Sequence, residues 1–142
     1  MTDEELRQLK KDYGVELFDF IIKAFSNYDL DFKWRSGWGS SEYPVWINSK
    51  GIVEFWIQGH NEEVLAEMDE SDCEAFSKFL SDVIKNFIDI YSHKPPFDKL
   101  KSKIVADEIE VYLDEAYDWV QGGVDDIPII AIEVWFDISA KE

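Results

Sequence analysis

Cysteine is nearly absent from this chain, and the lone Cys73 excludes an internal disulfide. Histidine is almost as scarce: His60 and His93 are the two present, and neither stands in a metal-ligand spacing with Cys73. No uninterrupted apolar stretch approaches the length needed to span a membrane. Met1-Thr2-Asp3-Glu4-Glu5 lacks the basic n-region and apolar run of a signal peptide, so the cytoplasm is the expected compartment. EF-hand spacing, P-loop, G-x-G-x-x-G and nucleophile elbow are all missing, as are internal repeats, low-complexity tracts and linkers. The widest gap is in positive charge. From Ile104 to Ala140 there is not one Lys, Arg or His.

Carboxylates occupy that gap. The segment holds Asp107, Glu108, Glu110, Asp114, Glu115, Asp118, Asp125, Asp126, Glu133 and Asp137. Tyr112, Tyr117, Trp119, Trp135 and Phe136 are interleaved with them, which marks a folded surface and not a solvated acidic tail. The whole chain carries a formal net charge of −17 over 142 residues, with 46% hydrophobic residues. That length fits one domain spanning 1–142 with a sizeable core. The charge argues against nucleic acid or an anionic membrane surface as a direct ligand and favours a cationic protein, a basic peptide or a metal ion. The plain alternative is that acidity serves solubility.

Periodicity supplies the elements. Thr2 and Glu5 have capping-box spacing, and Leu6, Leu9, Tyr13, Leu17, Ile21, Ala24, Phe25 and Tyr28 then recur at helical intervals, predicting a helix over about 3–28 that Gly14 loosens. Residues 32–36 suggest a strand, followed by a Gly37-Trp38-Gly39-Ser40-Ser41 loop. Tyr43 to Ile47 and Ile52 to Gln58 flank Asn48-Ser49-Lys50-Gly51, a hairpin with a type I turn and a left-handed Gly. Ser71 and Glu74 repeat the capping-box spacing and open a second helix running to about Tyr91, ended by Pro95-Pro96. Residues 62–70 fit either a strand or a helical lead-in. Two strands close the chain: Ile109, Val111 and Leu113 alternate with polar residues, and Ile130 to Ile138 repeat the pattern. Gln121-Gly122-Gly123 and Pro128 mark the loop between them. The expected fold is α+β: an antiparallel sheet of about four to five strands with two main helices on one face.

Strand parity turns the acidic segment into a candidate site. With Ile109, Val111 and Leu113 facing the core, Glu108, Glu110, Tyr112, Asp114 and Asp118 line the open face, joined by Glu133, Trp135 and Asp137 if the last strand is the neighbour. Carboxylates two residues apart on a strand lie about 6.6–6.8 Å from one another. Each such pair repels by roughly 0.7 kcal/mol in water before screening, a cost that Lys or Arg from a partner would relieve. Tyr112 and Trp135 are candidate rigid anchors. The competing reading is an ordinary solvated sheet face. No catalytic residue, metal ligand or cofactor is expected. Asp125-Asp126 reads as a polar turn, His60 and His93 as surface residues, and Asp72 and Glu74 oppose thiolate formation at Cys73.

A small, acidic α+β chain rich in Trp and Tyr, with the strand Glu108-Ile109-Glu110-Val111-Tyr112-Leu113-Asp114 followed by Tyr117-Asp118-Trp119, resembles the immunity proteins that bacteria make against toxins. The resemblance is one of class and carries over no individual residue. It implies a non-catalytic inhibitor of a basic toxin or nuclease domain, acting at the active site or elsewhere. An acidic binding module or assembly subunit for another cationic protein is the alternative, and an enzyme with an acidic metal or acid/base site is the third.

Overall fold

The structure, a computed structural model, describes residues 1–26, 28, 31–35, 45–101, 104, 108–120 and 123–141; for 31–35, 115–120 and 123–127 it describes the backbone alone. Helix α1 (Asp3–Ala24) begins where Thr2 leaves the helical conformation and its Oγ1 accepts the Glu5 amide at 3.1 Å. Asp3, Glu4 and Glu5 in its first turn and Lys23 in its last complement the helix dipole. Helix α3 (Glu70–Tyr91) is capped by Asp69, not Ser71. The Asp69 carboxylate accepts the Asp72 amide at 3.1 Å while Asp72 accepts the Asp69 amide at 2.9 Å. The reciprocal box thus sits two residues earlier than the Ser71/Glu74 spacing suggested, because two Asp side chains provide the same pair of acceptors. Residues 62–70 resolve as a short helix α2 (Glu62–Leu65), capped by Asn61, and a turn into α3.

Among the described residues, five strands form one antiparallel sheet: β1 (Asp31–Arg35), β2 (Val45–Ile47), β3 (Val53–His60), β5 (Ile109–Val120) and β6 (Gly123–Phe136). The order is β1-β3-β6-β5, and β2 shares β3's outer flank with β1. A separate ribbon pairs β4 (Leu100–Lys101) with β7 (Ser139–Ala140). The expected α+β fold, an antiparallel sheet with two main helices, is the fold observed. Tyr43, the 37–41 loop and residues 121–122 lie outside the described residues.

The β2–β3 turn follows its local chemistry. Gly51 has φ +82°, and its amide donates to the Asn48 carbonyl at 3.0 Å. Asn48 Oδ1 accepts from the Lys50 and Ile52 amides, so one side chain organises the whole reversal.

The helix-facing side of the sheet is a strict alternation. Val53, Phe55 and Ile57 of β3 and Ile130, Ile132, Val134 and Phe136 of β6 are fully buried. They pack with Leu17 and Ile21 of α1 and Leu80 and Phe87 of α3 in one continuous cluster. Tyr13 sits at its hub, edge-on to Phe87, Phe97 and Phe136 at centroid distances of 5.1, 5.4 and 6.1 Å. Gly14 does not loosen α1; it lets the helix touch the sheet. A Cβ there would lie 2.8 Å from both Val45 Cγ1 and Val53 Cγ1.

The terminal strands depart from expectation in two ways. The 115–129 interval is not a loop: β5 and β6 continue as a paired ribbon, with Asp118 opposite Asp125 and Pro128 opposite Glu115. Asp125 and Asp126 therefore belong to β6 and not to a polar turn. Pro128 is tolerated because β3 pairs with β6 only from Ile130 onward, so among the described residues no strand pairs with that flank of β6 at that point. The ending differs too: β6 stops at Phe136, and Asp137 lies beyond it.

Candidate functional site

The open face of the sheet collects the acidic and aromatic residues. Its β5 row is Glu110, Tyr112 and Asp114, and its β6 row is Ile129, Ala131, Glu133 and Trp135, with Glu110 directly opposite Glu133. On the other side of β6, Glu54 stands opposite Trp135 and Trp56 opposite Glu133. Trp46 of β2 completes the surface, opposite Glu54. Four carboxylates, three indoles and one phenol among the described residues thus share one face, and sequence parity on β5 and β6 had reached five of these eight. Glu54, Trp56 and Trp46 were missed. Their alternation was visible in β3, but nothing local says that β3 is the neighbour of β6.

Two of the four carboxylates are held by aromatic donors. The Tyr112 hydroxyl donates to Glu133 Oε1 at 3.0 Å, a diagonal contact across the β5–β6 pair. Trp46 Nε1–H donates to Glu54 Oε2 at 2.9 Å and Asn48 Nδ2 to Oε1 at 3.0 Å. Trp46 and Trp56 meet edge to face at 5.3 Å. Burial, the bond to Glu133, and the charges of Glu133, Asp114 and Glu110 together push the Tyr112 phenol up to about 12. The donors fix the carboxylate planes, and each carboxylate retains lone pairs for a further donor. This is an arrangement suited to guanidinium or ammonium groups. The hollow bounded by Trp56, Tyr112, Asp114 and Glu133 has a volume of only about 50 Å³. Small-molecule sites run to about 300–1,000 Å³, so this hollow is too small to be one.

Not every expected residue joins the face. Glu108 precedes β5 and is half-buried. Asp118 lies on the ribbon beyond the third strand, where only its backbone is described. Asp137 is turned to the helix side: its Oδ1 is 3.0 Å from Lys10 Nζ, which also donates to the Gly51 carbonyl. Lys10 is itself buried, so this ion pair ties α1 to the hairpin turn and to the end of β6. Leu113 does not join the core as expected; it points to the helix side but remains 39% exposed, while Ile109 and Val111 pack against the core. His60 is the last residue of β3, not part of a loop, and its Nδ1–H donates to the Pro128 carbonyl at 2.7 Å.

Strand β1, of which the backbone alone is described, pairs Lys33 with Gln58 and Arg35 with Trp56. Among the described residues, no three His, Cys, Asp or Glu side chains come together as a metal site. No helix among them is long and apolar enough to cross a membrane. Burial first, and then the charges of Asp72, Asp69 and Glu70, raise the Cys73 thiol above its ordinary value. Comparison with protein-family models, curated proteins and solved structures gave no match.

Proposed function

We propose that this protein is a non-catalytic inhibitor, an immunity protein of bacterial type, that neutralises a basic toxin or nuclease domain in the cytoplasm. The observation that carries the reading is the open face itself, on which Glu54, Glu110, Asp114 and Glu133 lie among Trp46, Trp56, Trp135 and Tyr112. An interface needs rigid anchors and oriented acceptors, and Tyr and Trp provide contact area at low entropic cost. The net charge of −17 accelerates encounter with a cationic partner over long range. Carboxylate–Arg pairs that lose their water in the complex then slow its dissociation. Direct binding of nucleic acid or an anionic membrane is disfavoured by the same charge.

The test is recovery of the protein from its native cells with whatever binds it stoichiometrically. The expected companion is a basic toxin or nuclease domain whose activity falls when the purified protein is added. A basic companion with no toxic or nuclease activity would replace this reading with that of an acidic binding module. Reproducible turnover by the purified protein, lost on changing one carboxylate, would make it an enzyme.

A further inference from the structure

A second surface lies on the opposite side of β5. Between the first turns of α3 and the outermost strand runs a groove of about 550 Å³, lined by Glu70, Cys73, Glu74 and Ser77 of the helix and Val111, Tyr112 and Leu113 of the strand. The helix residues fall at i, i+3, i+4 and i+7, one stripe along the wall. The strand is the edge of the sheet: among the described residues no strand pairs with its outer side. A groove with an edge strand for one wall and a helix for the other has the geometry that accepts an added strand.

From this juxtaposition we infer that the α3–β5 groove takes up an extended segment of a partner protein in which apolar and basic residues alternate. Backbone pairing with the free edge of β5 fixes its direction. Side chains of one parity then descend beside Val111 and Leu113, which explains why Leu113 is left 39% exposed. Those of the other parity emerge on the open face near Glu110 and Asp114. Glu70 and Glu74, both exposed, set the charge at the groove's rim. A second copy of this chain is a poor occupant, since it would bring its own carboxylates against these. The inference deepens the proposed function by naming the form in which a basic partner arrives, but it does not depend on that partner being a toxin.

The test uses an acetylated and amidated peptide of alternating Lys and Val, and the same peptide with every backbone amide methylated. The first peptide should bind and slow amide exchange across 109–113. The methylated peptide keeps the side chains and charge but has no backbone amide N–H to give along the strand, and it should bind at least about tenfold more weakly. Ser77→Trp, which fills the groove, should weaken the first peptide by a similar factor, whereas Asp82→Lys on the far side of α3 should not. Failure of the first peptide to bind, or equal binding of both, overturns the inference. So does self-association that protects 109–113 without any peptide. Peptide binding without recovery of a toxin from cells would leave the groove standing and remove the inhibitor reading. A recovered toxin indifferent to Ser77→Trp would do the reverse.

Discussion

Gly14 shows how one residue sets a layer spacing. Alanine is the better helix former by about 1 kcal/mol in an exposed position. Here its methyl group would press on Val45 and Val53 at 2.8 Å, and both are fully buried in the core. Gly14→Ala is therefore expected to destabilise the protein by about 1–3 kcal/mol, the usual range for overpacking. The denaturant midpoint measures this, and an unchanged or raised midpoint would show that α1 can move away from the sheet. Tyr112 makes a second prediction at this scale. Its phenol is raised from 10.0 to about 12, so the folded state holds the proton more tightly than the unfolded chain. The resulting stability is fully present below pH 10 and is lost as pH rises through about 12. Tyr112→Phe should remove that part of the alkaline loss. Absorbance titration of the tyrosinates, wild type against variant, should show the missing phenol as one of the late-titrating groups. An early-titrating missing phenol would mean that the Glu133 bond does not persist in solution.

At the scale of elements, what the sequence disclosed was what is chemically local. The Asn48–Gly51 turn was legible because a single carboxamide and one left-handed glycine make it, and both lie within the four residues. Both main helices were legible from their apolar stripes. The start of α3 was misread because Asp69/Asp72 and Ser71/Glu74 offer rival acceptor pairs two residues apart. Removal of the true cap should cost about 1 kcal/mol. Asp69→Ala is thus expected to lower the midpoint of unfolding while Ser71→Ala leaves it nearly unchanged, and the opposite order would restore the later start. The ribbon 115–120/123–129 was hidden by Gly122, Gly123 and Pro128, residues that usually end strands. Proline is accommodated here by a long-range fact, the end of the β3–β6 pairing at Ile130. The open face was only partly legible for the same reason. Parity places Glu110, Tyr112 and Asp114 together, but only strand order brings Glu54 and Trp56 to Trp135 and Glu133. Asp137 obeyed neither, because buried Lys10 draws it to the helix side.

For the molecule as a whole the question is whether net charge or its placement directs binding. A charge of −17 alone would attract any cation, and that attraction fades beyond a Debye length of about 8 Å in physiological salt. A specific face adds desolvated pairs, each of which costs about 2–5 kcal/mol when one partner is lost. The direct measurement compares two double variants for affinity to the partner recovered from native cells. Glu110→Lys with Asp114→Lys reverses two exposed residues on the open face, and Asp82→Lys with Asp89→Lys reverses two exposed residues on α3. Both raise the net charge from −17 by the same amount and leave the core untouched. The account predicts that the open-face variant loses at least about a hundredfold in affinity, by about 2.7 kcal/mol or more, while the α3 variant loses less than about tenfold. Equal losses in the two variants would contradict it, because total charge and not the face would then govern binding.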